Sequence, residues 1–373
     1  MARAPVLQEI ETEPEVDRLA DFPHPRVTSA LYGHDGPESL LAEAVAGGRM
    51  HHGWLITGPE GVGKATLAYR LAKHLIAAPS ERDPFVQTLA IAPETRAARQ
   101  VVALSHPDLL VLRRPWDAKA KRFATAITVD EVRRLRAFLG HAADVGAWRV
   151  VIVDTADDLN VNAANAILKS LEEPPRQTVF LLLSSEPGRL LPTIRSRCRT
   201  MELSPLGPED LKRAVTAAFA GGEASPPSGD DWTRLDQLAE GSARRALTIA
   251  SSGGLKLYER VLALVTALPR VDWGLVHALA DELAGTAAEQ KFEAFYDFLT
   301  GLIARLVRAR ATGQGREADL RLAQKLITDQ ALPAWADAWT ALLADKAEAM
   351  ALNLDRKSLI LATAARLEGL ARR

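Results

Sequence analysis

Residues 54–72 read WLITGPEGVGKATLAYRLA. An apolar run gives way to a glycine-rich turn and then to a helical pattern, and Gly58, Gly61, Gly63 and Lys64 fall where a phosphate-binding loop needs them. Glycines let successive backbone N–H groups point at phosphate from the positive end of a helix, and the lysine reaches the β- and γ-phosphates of ATP. The residue after Lys64 is Ala65, where the pattern carries a Ser or Thr whose hydroxyl helps hold Mg²⁺. Thr66 does not substitute directly, because one residue turns a side chain about 100° around a helix. A second acidic motif, VVIVDTADDL, sets Asp154 at the end of a β-branched run, where a carboxylate can reach Mg²⁺ directly or through water. Hydrolysis also needs a base to polarise water, usually a Glu directly after that Asp, and here the position is Thr155. Asp157 and Asp158 read as a solvated helix start, where negative charge offsets the macrodipole. Two missing groups affect the same reaction. The expectation is a loop that does not turn over ATP effectively; whether it binds nucleotide stays open.

These residues need elements to hold them. GWLITG reads as a short buried strand, and Ala65 to about Ala77 as a helix with Leu67, Leu71 and Leu75 on one face. Residues 78–107 carry four prolines and read as a loop-rich insertion around a short helix. DLLVLRR (108–114), WRVVIVD (148–154) and TVFLLLSS (178–185) are further strands, with helices over 128–140 and 160–173 between them. The first of these helices opens on a capping box, Thr128 with Glu131, and the second stops at two prolines. Strands alternating with helices predict a parallel sheet covered on both faces. Beyond LSPLGPED the composition turns helical, with breaks at 221–231 and 251–254. The predicted layout is an acidic mobile tail (1–24), an α/β P-loop domain (25–204), a small helical lid domain (205–252) and an all-α domain (253–373). In the last, Phe292, Phe295, Leu299, Leu302 and Leu306 recur at helical spacing and read as core.

Composition narrows the chemistry. The 373 residues are 47% hydrophobic and 25% charged with a net charge of −1, so no global basic field draws nucleic acid. Any such contact needs a local patch or comes through partners. A single cysteine, Cys198, excludes an internal disulfide and a cysteine-rich zinc site, and it reads as a small buried apolar side chain. The eight histidines show no metal spacing; His51 and His52 abut a strand and read as packing or partner contacts. No apolar run is long enough to span a membrane, and the N-terminus lacks a signal-peptide core, so a cytoplasmic protein is expected.

Four blocks, HHGWLITGPEGVGKATLA, ITVDEVRRL, VVIVDTADDLNVNAANAILKSLEEPP and RSRC, together resemble the delta-prime family of bacterial DNA polymerase III clamp-loader subunits. The resemblance covers about residues 25–205 strongly and continues more weakly through EGSARRAL (240–247) and NLDRKSLILATAARL (353–367). It implies an AAA+/RecA-like P-loop domain, a helical lid and a C-terminal collar that oligomerises. It implies gamma/tau motor subunits and a delta subunit as partners, together with the beta sliding clamp and primed DNA. It implies no polymerase chemistry in this chain. The related gamma/tau motors carry a complete loop and an Asp-Glu pair; Lys64-Ala65 and Asp154-Thr155 place this chain with the non-hydrolysing delta-prime subunits, an active gamma/tau-type motor being the alternative. Many relatives bind zinc through four cysteines after the P-loop helix. This chain has none there, so no zinc is carried over. In the family the Ser-Arg-Cys motif supplies an arginine finger, which assigns Arg197 to a neighbouring subunit's ATP; pairing with a surface carboxylate is the other reading. Arg195 and Arg199 read as structural or as DNA-backbone contacts. Ser184 matches the first sensor position and Arg244 the second, which folds over nucleotide; Arg244 reads equally as a helix-surface arginine. Lys169 and Arg176 could touch DNA phosphate, and read equally as a solvated face.

Overall fold

A computed structural model of the chain describes residues 14–19, 22–83, 88–140, 148–220, 225–251, 253–285, 288–352 and 354–372. The chain divides into two compact units, Met1–Leu247 and Thr248–Arg373.

The first unit is organised by five parallel strands. They are β1 (Gly53–Thr57), β2 (Leu109–Leu112), β5 (Arg149–Val153), β6 (Thr178–Ser184) and β7 (Arg199–Glu202), in the order β2-β5-β6-β1-β7. A separate two-stranded hairpin pairs β3 (Trp116–Asp117) with β4 (Arg122–Phe123). Every residue of β1, β5 and β6 is buried, which is why their sequences are near-continuous apolar runs.

The two-residue period of a strand assigns these side chains to opposite faces. Trp54, Ile56, Val150, Ile152, Val179, Leu181 and Leu183 share one cluster with α1 (Asp35–Ala46), α2 (Lys64–Ile76) and α3 (Arg96–Val102). Leu55, Val151, Val153, Phe180 and Leu182 share the other with α4 (Val129–Gly140), α5 (Val161–Glu172) and α6 (Pro192–Arg195). The α/β P-loop sheet covered on both faces is therefore as predicted. Helix α2 buries Leu67, Leu71 and Leu75, the stripe read from their spacing. Helix α5 starts at Asn160, whose side chain accepts from the Ala163 amide at 2.9 Å, and ends before Pro174. Three further helices follow β7: α7 (Pro208–Phe219), α8 (Gly229–Ala239) and α9 (Ala243–Ser251).

Of the expected tail over 1–24, residues 1–13, 20 and 21 lie outside the described residues. The remainder is packed, not free. Glu15 and Asp17 both receive the Arg113 guanidinium, at 2.6 and 2.8 Å. Glu15 also pairs with Arg26 at 2.9 Å, and Asp17 lies 2.9 Å from the His24 ring. The carboxylates are 12% and 6% exposed, so this is a largely buried network.

The second unit is all helical: α10 (Gly254–Ala267), α11 (Trp273–Leu283), α12 (Glu289–Thr312), α13 (Glu317–Leu326), α14 (Leu332–Leu352) and α15 (Arg356–Ala371). Phe292, Phe295, Leu299, Leu302 and Leu306 of α12 are all buried, as core. Tyr296 beside them keeps its hydroxyl satisfied against Thr363 at 2.8 Å. Trp273, Trp339, Leu343, Leu352 and Leu354 remain exposed on this unit. Among the described residues no helix is long and apolar enough to cross a membrane, and no cluster of His, Cys, Asp or Glu could hold a metal ion.

Candidate functional site

A cleft of about 660 Å³ opens where β1, β5 and β6 reach their carboxyl ends, the place where open parallel sheets receive ligands. Its volume falls within the roughly 300–1,000 Å³ of ligand pockets. Val16, Leu19, Val27 and Tyr32 give it an apolar wall. Lys64, Asp154 and Arg244 give it a charged one, and Ala65 and Thr66 also face it.

The phosphate loop runs from β1 into α2. At Gly58, φ is 139°, and a Cβ there would overlap the Leu203 carbonyl oxygen. At Gly61, φ is 78°, and a Cβ would strike the Ser242 hydroxyl and lie 2.5 Å from the Arg244 Cβ. Both positions therefore require glycine for conformation and for space. The loop is also tied to the start of α9: the Ser242 hydroxyl donates to the Glu60 carbonyl at 2.8 Å and the Ala243 amide to the Gly61 carbonyl at 3.0 Å.

The Lys64 ammonium is buried and donates to the carbonyls of Gly58 and Pro59, both at 2.7 Å, and to the Ser185 hydroxyl at 2.8 Å. Burial pulls its pKa down from the usual lysine value, opposed by the carboxylates of Asp154, Glu60 and Asp157. Asp154 follows β5. One of its oxygens is shut off from solvent with no hydrogen-bond partner among the described residues. Burial pushes its carboxyl up to about 7; Asp17 adds to the rise, while Lys64, Arg113 and Arg244 oppose it. An orphaned carboxylate oxygen beside a lysine in a glycine-lined cradle fits a triphosphate with its cation. The loop amides and Lys64 would hold the phosphates, and Asp154 would hold the cation. Ala65 adds no oxygen to that set.

Thr155 occupies the position of the missing base, and its hydroxyl donates to Asp158 at 3.2 Å. Asp158 is itself bound by Arg114 at 2.8 Å. Asp157 accepts from the Ser184 hydroxyl at 2.5 Å and from the Ser185 amide at 2.6 Å. The helix start expected at these two acids is present as a short 3-10 helix, Ala156–Asp158, but the acids are engaged instead of solvated: Asp157 ties the end of β5 to that of β6, and Asp158 binds Arg114 beyond β2. Ser184 is fully buried and directed at Asp157, while Ser185 is the residue that meets Lys64. Ser185 and Asp157 carried no signal beyond adjacency to a strand end. Arg244, on α9, reaches over the cleft: its Nε lies 3.2 Å from the Glu60 carboxylate and its Nη1 donates to the Asp17 carbonyl at 3.2 Å.

Arg197 lies elsewhere. A Cβ on Gly53 would meet the Cys198 sulfur at 3.2 Å and the Arg197 carbonyl at 3.3 Å, so this segment packs at the first residue of β1. Lys64 follows the last. Five residues of strand at about 3.3 Å each put the two ends roughly 15 Å apart. The Arg197 guanidinium pairs with Glu172 at 2.7 Å and donates to the Thr193 carbonyl at 2.9 Å, beside an open concavity that His51, His52 and Arg199 also line. His51 and His52 stack at 4.3 Å. Arg199 lies over the Trp54 ring at 5.1 Å. Cys198 is half-buried, and burial pushes its thiol up to about 11, out of reach of nucleophile chemistry at neutral pH. Lys169 on α5 and Arg176 before β6 are both exposed near the same end of the sheet.

A family profile described as "DNA polymerase III, delta subunit" matches residues 33–207. The chain is similar to DNA polymerase III subunit delta' of Escherichia coli strain K12, 35% identical over 254 residues, which is 66% of this chain and 69% of that protein. It is 43% identical over 154 residues to the subunit delta' of Pseudomonas aeruginosa, spanning 41% of this chain and 43% of the relative. It is 29% identical to subunit tau of Escherichia coli strain K12 over 299 residues, covering 76% of this chain and 44% of that protein.

Proposed function

Because this chain belongs to the delta-prime family of DNA polymerase III clamp-loader subunits, we propose that it is the stator of a loader ring that places the beta sliding clamp on primed DNA in the cytoplasm. Its ring neighbours are gamma/tau motor subunits and a delta subunit. The apolar side chains exposed on the second unit, Trp339 and Leu343 among them, supply surface for a collar between subunits.

The observation that carries this reading is the separation of Arg197 from the chain's own phosphate loop by the length of β1. An arginine at the amino end of the sheet cannot serve a nucleotide at the carboxyl end. It can serve one held by an adjacent subunit. Its fixed charge and planar fork suit phosphate oxygens. Glu172 shares the guanidinium in the free chain, with side chains 35% and 47% exposed, so the pair is accessible to a competing anion.

In its own cleft the chain is proposed to hold nucleotide without turning it over. Lys64 and the loop amides neutralise phosphate charge, Asp154 faces the cation, and Arg244 closes the cleft from α9. Bound Mg²⁺–ATP would supply the negative charge that releases Lys64 from the carbonyls of Gly58 and Pro59. Thr155, engaged with Asp158, leaves no base for water. That absence also speaks against a gamma/tau-type motor.

The test is the ATPase of the reconstituted loader, stimulated by clamp and DNA, with Arg197→Ala against wild type. A trans finger contributes roughly 10³–10⁵ in phosphoryl transfer, so a fall of about a hundredfold is expected at the neighbouring site, diluted by the others. An unchanged rate in a fully assembled complex removes the finger and leaves the chain a purely geometric scaffold.

A further inference from the structure

Residues 14–19 and 22–26 precede the first helix and have no part in the reading above. Val16, Leu19 and Phe22 line the cleft. The polar side chains among them bind the sheet layer. Glu15 and Asp17 share the Arg113 guanidinium just beyond β2. Arg26, paired with Glu15, also donates from Nε to the Val102 carbonyl at the end of α3, at 2.8 Å. The Arg26 amide donates to His24 Nδ1 at 3.0 Å, which leaves the His24 Nε2 to face Asp17 at 2.9 Å. The His24 ring meets Tyr69 of α2 edge-on at 5.7 Å.

The same segment is tied to the helices that follow β7. Phe22 meets Phe219 of α7 edge-on at 5.1 Å, and both rings are buried. The Asp17 main-chain carbonyl accepts from Arg244 Nη1 of α9 at 3.2 Å. Asp17 is therefore held from both sides, its carboxylate by Arg113 and its carbonyl by Arg244. The ties to the sheet layer are charge-assisted, and such bonds are roughly twice as strong as neutral ones. The Glu60 carboxylate beside Arg244 is 77% exposed, and an exposed pair fixes a guanidinium only weakly. Helix α9 also carries the Ala243 amide, which donates to the Gly61 carbonyl of the phosphate loop at 3.0 Å. A displacement of α9 thus moves both the loop tie and the arginine.

We propose that residues 14–19 and 22–26 are a brace that holds α7 and α9 against the sheet layer and keeps Arg244 in place over the phosphate loop. Glu15 and Phe219 are outside the cleft wall. They are positioning residues, Glu15 acting through Arg113 and Asp17, Phe219 through Phe22. The consequence for a triphosphate rests on the nucleotide reading above; the brace itself does not.

The first test is hydrogen exchange of the full chain without nucleotide, comparing wild type, Glu15→Gln and Phe219→Leu, the last keeping an apolar side chain but losing the ring pair. Loss of a charge-assisted bond shifts a local equilibrium by about tenfold, and loss of an aromatic pair by about two- to tenfold. The Ala243 amide should exchange faster by those factors. The Val150 and Phe180 amides, bonded to the Asp108 and His52 carbonyls, should keep their wild-type rates. Unchanged exchange at Ala243 overturns the proposal. So does a rise shared equally by Val150 and Phe180, which would report lower stability of the whole unit. The second test is Mg²⁺–ATP affinity by calorimetric titration. Glu15→Gln should weaken binding about tenfold in the wild-type background and leave it unchanged in Arg244→Ala, because its effect passes through that arginine. An unchanged affinity, or an equal loss in both backgrounds, overturns the positioning of Arg244. A wild type that binds no ATP removes the nucleotide reading, and the exchange rates alone then decide the brace.

Discussion

Arg113→Ala should destabilise the first unit far more than an arginine on a protein surface would. Arg113 is the hub of the network under the cleft, bonded to Asp17 at 2.8 Å and to Glu15 at 2.6 Å, with side chains 20%, 6% and 12% exposed. Truncation leaves two nearly buried carboxylates short of their shared cation; Arg26 and His24 remain but cannot serve both. Removing one partner of a buried pair costs about 3–5 kcal/mol, and the fifth of Arg113 left open to water argues for the low end, about 3 kcal/mol. For a unit of this size each kcal/mol lowers the melting temperature by about 2–4 °C, so the shift should be about 6–12 °C. Calorimetry is the assay, since the two compact units need not melt together. The quadruple replacement Glu15→Gln/Asp17→Asn/Arg26→Met/Arg113→Met should recover most of the loss, because it removes both carboxylates together with the two guanidinium groups that pair with them. The effect also has a pH signature. Burial alone would raise both carboxyls, but hydrogen bonds and charge outweigh it, from Arg26 and Arg113 at Glu15 and from His24 and Arg113 at Asp17. Both pKa values are therefore depressed in the folded state. Their stabilisation is present above the ordinary values of 4.5 and 3.8 and is lost as pH falls through the lower folded ones. Wild type and Arg113→Ala should converge as the solution becomes strongly acidic. A shift under about 2 °C at neutral pH, or a difference that persists in acid, would refute the network as described.

Two further substitutions probe the cleft itself. Ala65→Thr returns a hydroxyl to the cation's coordination set. It should raise Mg²⁺-dependent nucleotide affinity about tenfold, or roughly 1.4 kcal/mol, in calorimetric titration. It should leave phosphate release at background, because Thr155 still offers no base; measurable turnover would show that the base is supplied elsewhere. Gly61→Ala introduces a Cβ against the Ser242 hydroxyl and the Arg244 Cβ at a φ of 78°. It should cost about 1–3 kcal/mol and speed hydrogen exchange at the Ala243 amide, which is bonded to the Gly61 carbonyl. Unchanged exchange there would mean that the loop and the start of α9 are not coupled.

The parts of this site legible in the sequence are those written in local pattern. A strand, a glycine turn and a helix in succession fix the phosphate loop. The unbroken β-branched run VVIV, ending in an acid, places Asp154 at a strand end, and the i, i+4 leucines of α2 fix its buried face. What the sequence hid is non-local. PEVDRLADFPHPR has no apolar periodicity and reads as a tail, yet Glu15 and Asp17 find Arg113 at separations of 98 and 96 residues. Charge does not announce its partner as hydrophobic spacing announces a face. Asp157 was hidden for a similar reason: an acid after a strand looks like a helix start, and only the adjacency of β5 and β6 turns it into the acceptor for Ser184 and Ser185. The same adjacency puts Ser185, not Ser184, against Lys64, a one-residue distinction set by which face of β6 each side chain takes.

The two ends of the sheet differ in how firmly they hold their charged groups, and the difference bears on the proposed function. At the carboxyl end, Lys64, Asp157 and Asp158 are each fixed by two or more bonds, and the wall behind them is a buried ion network. At the amino end, Arg197 is restrained by one partly exposed carboxylate and two hydroxyl or carbonyl oxygens. An exposed pair of that kind contributes about 0–1 kcal/mol. A finger that accelerates phosphoryl transfer by 10³–10⁵ draws on roughly 4–7 kcal/mol of transition-state stabilisation. If Arg197 is the proposed finger, a pair of that strength would not retain it against a neighbour's triphosphate. On this reading the rigid end of the subunit holds nucleotide in place and the loosely held end acts on the subunit beside it.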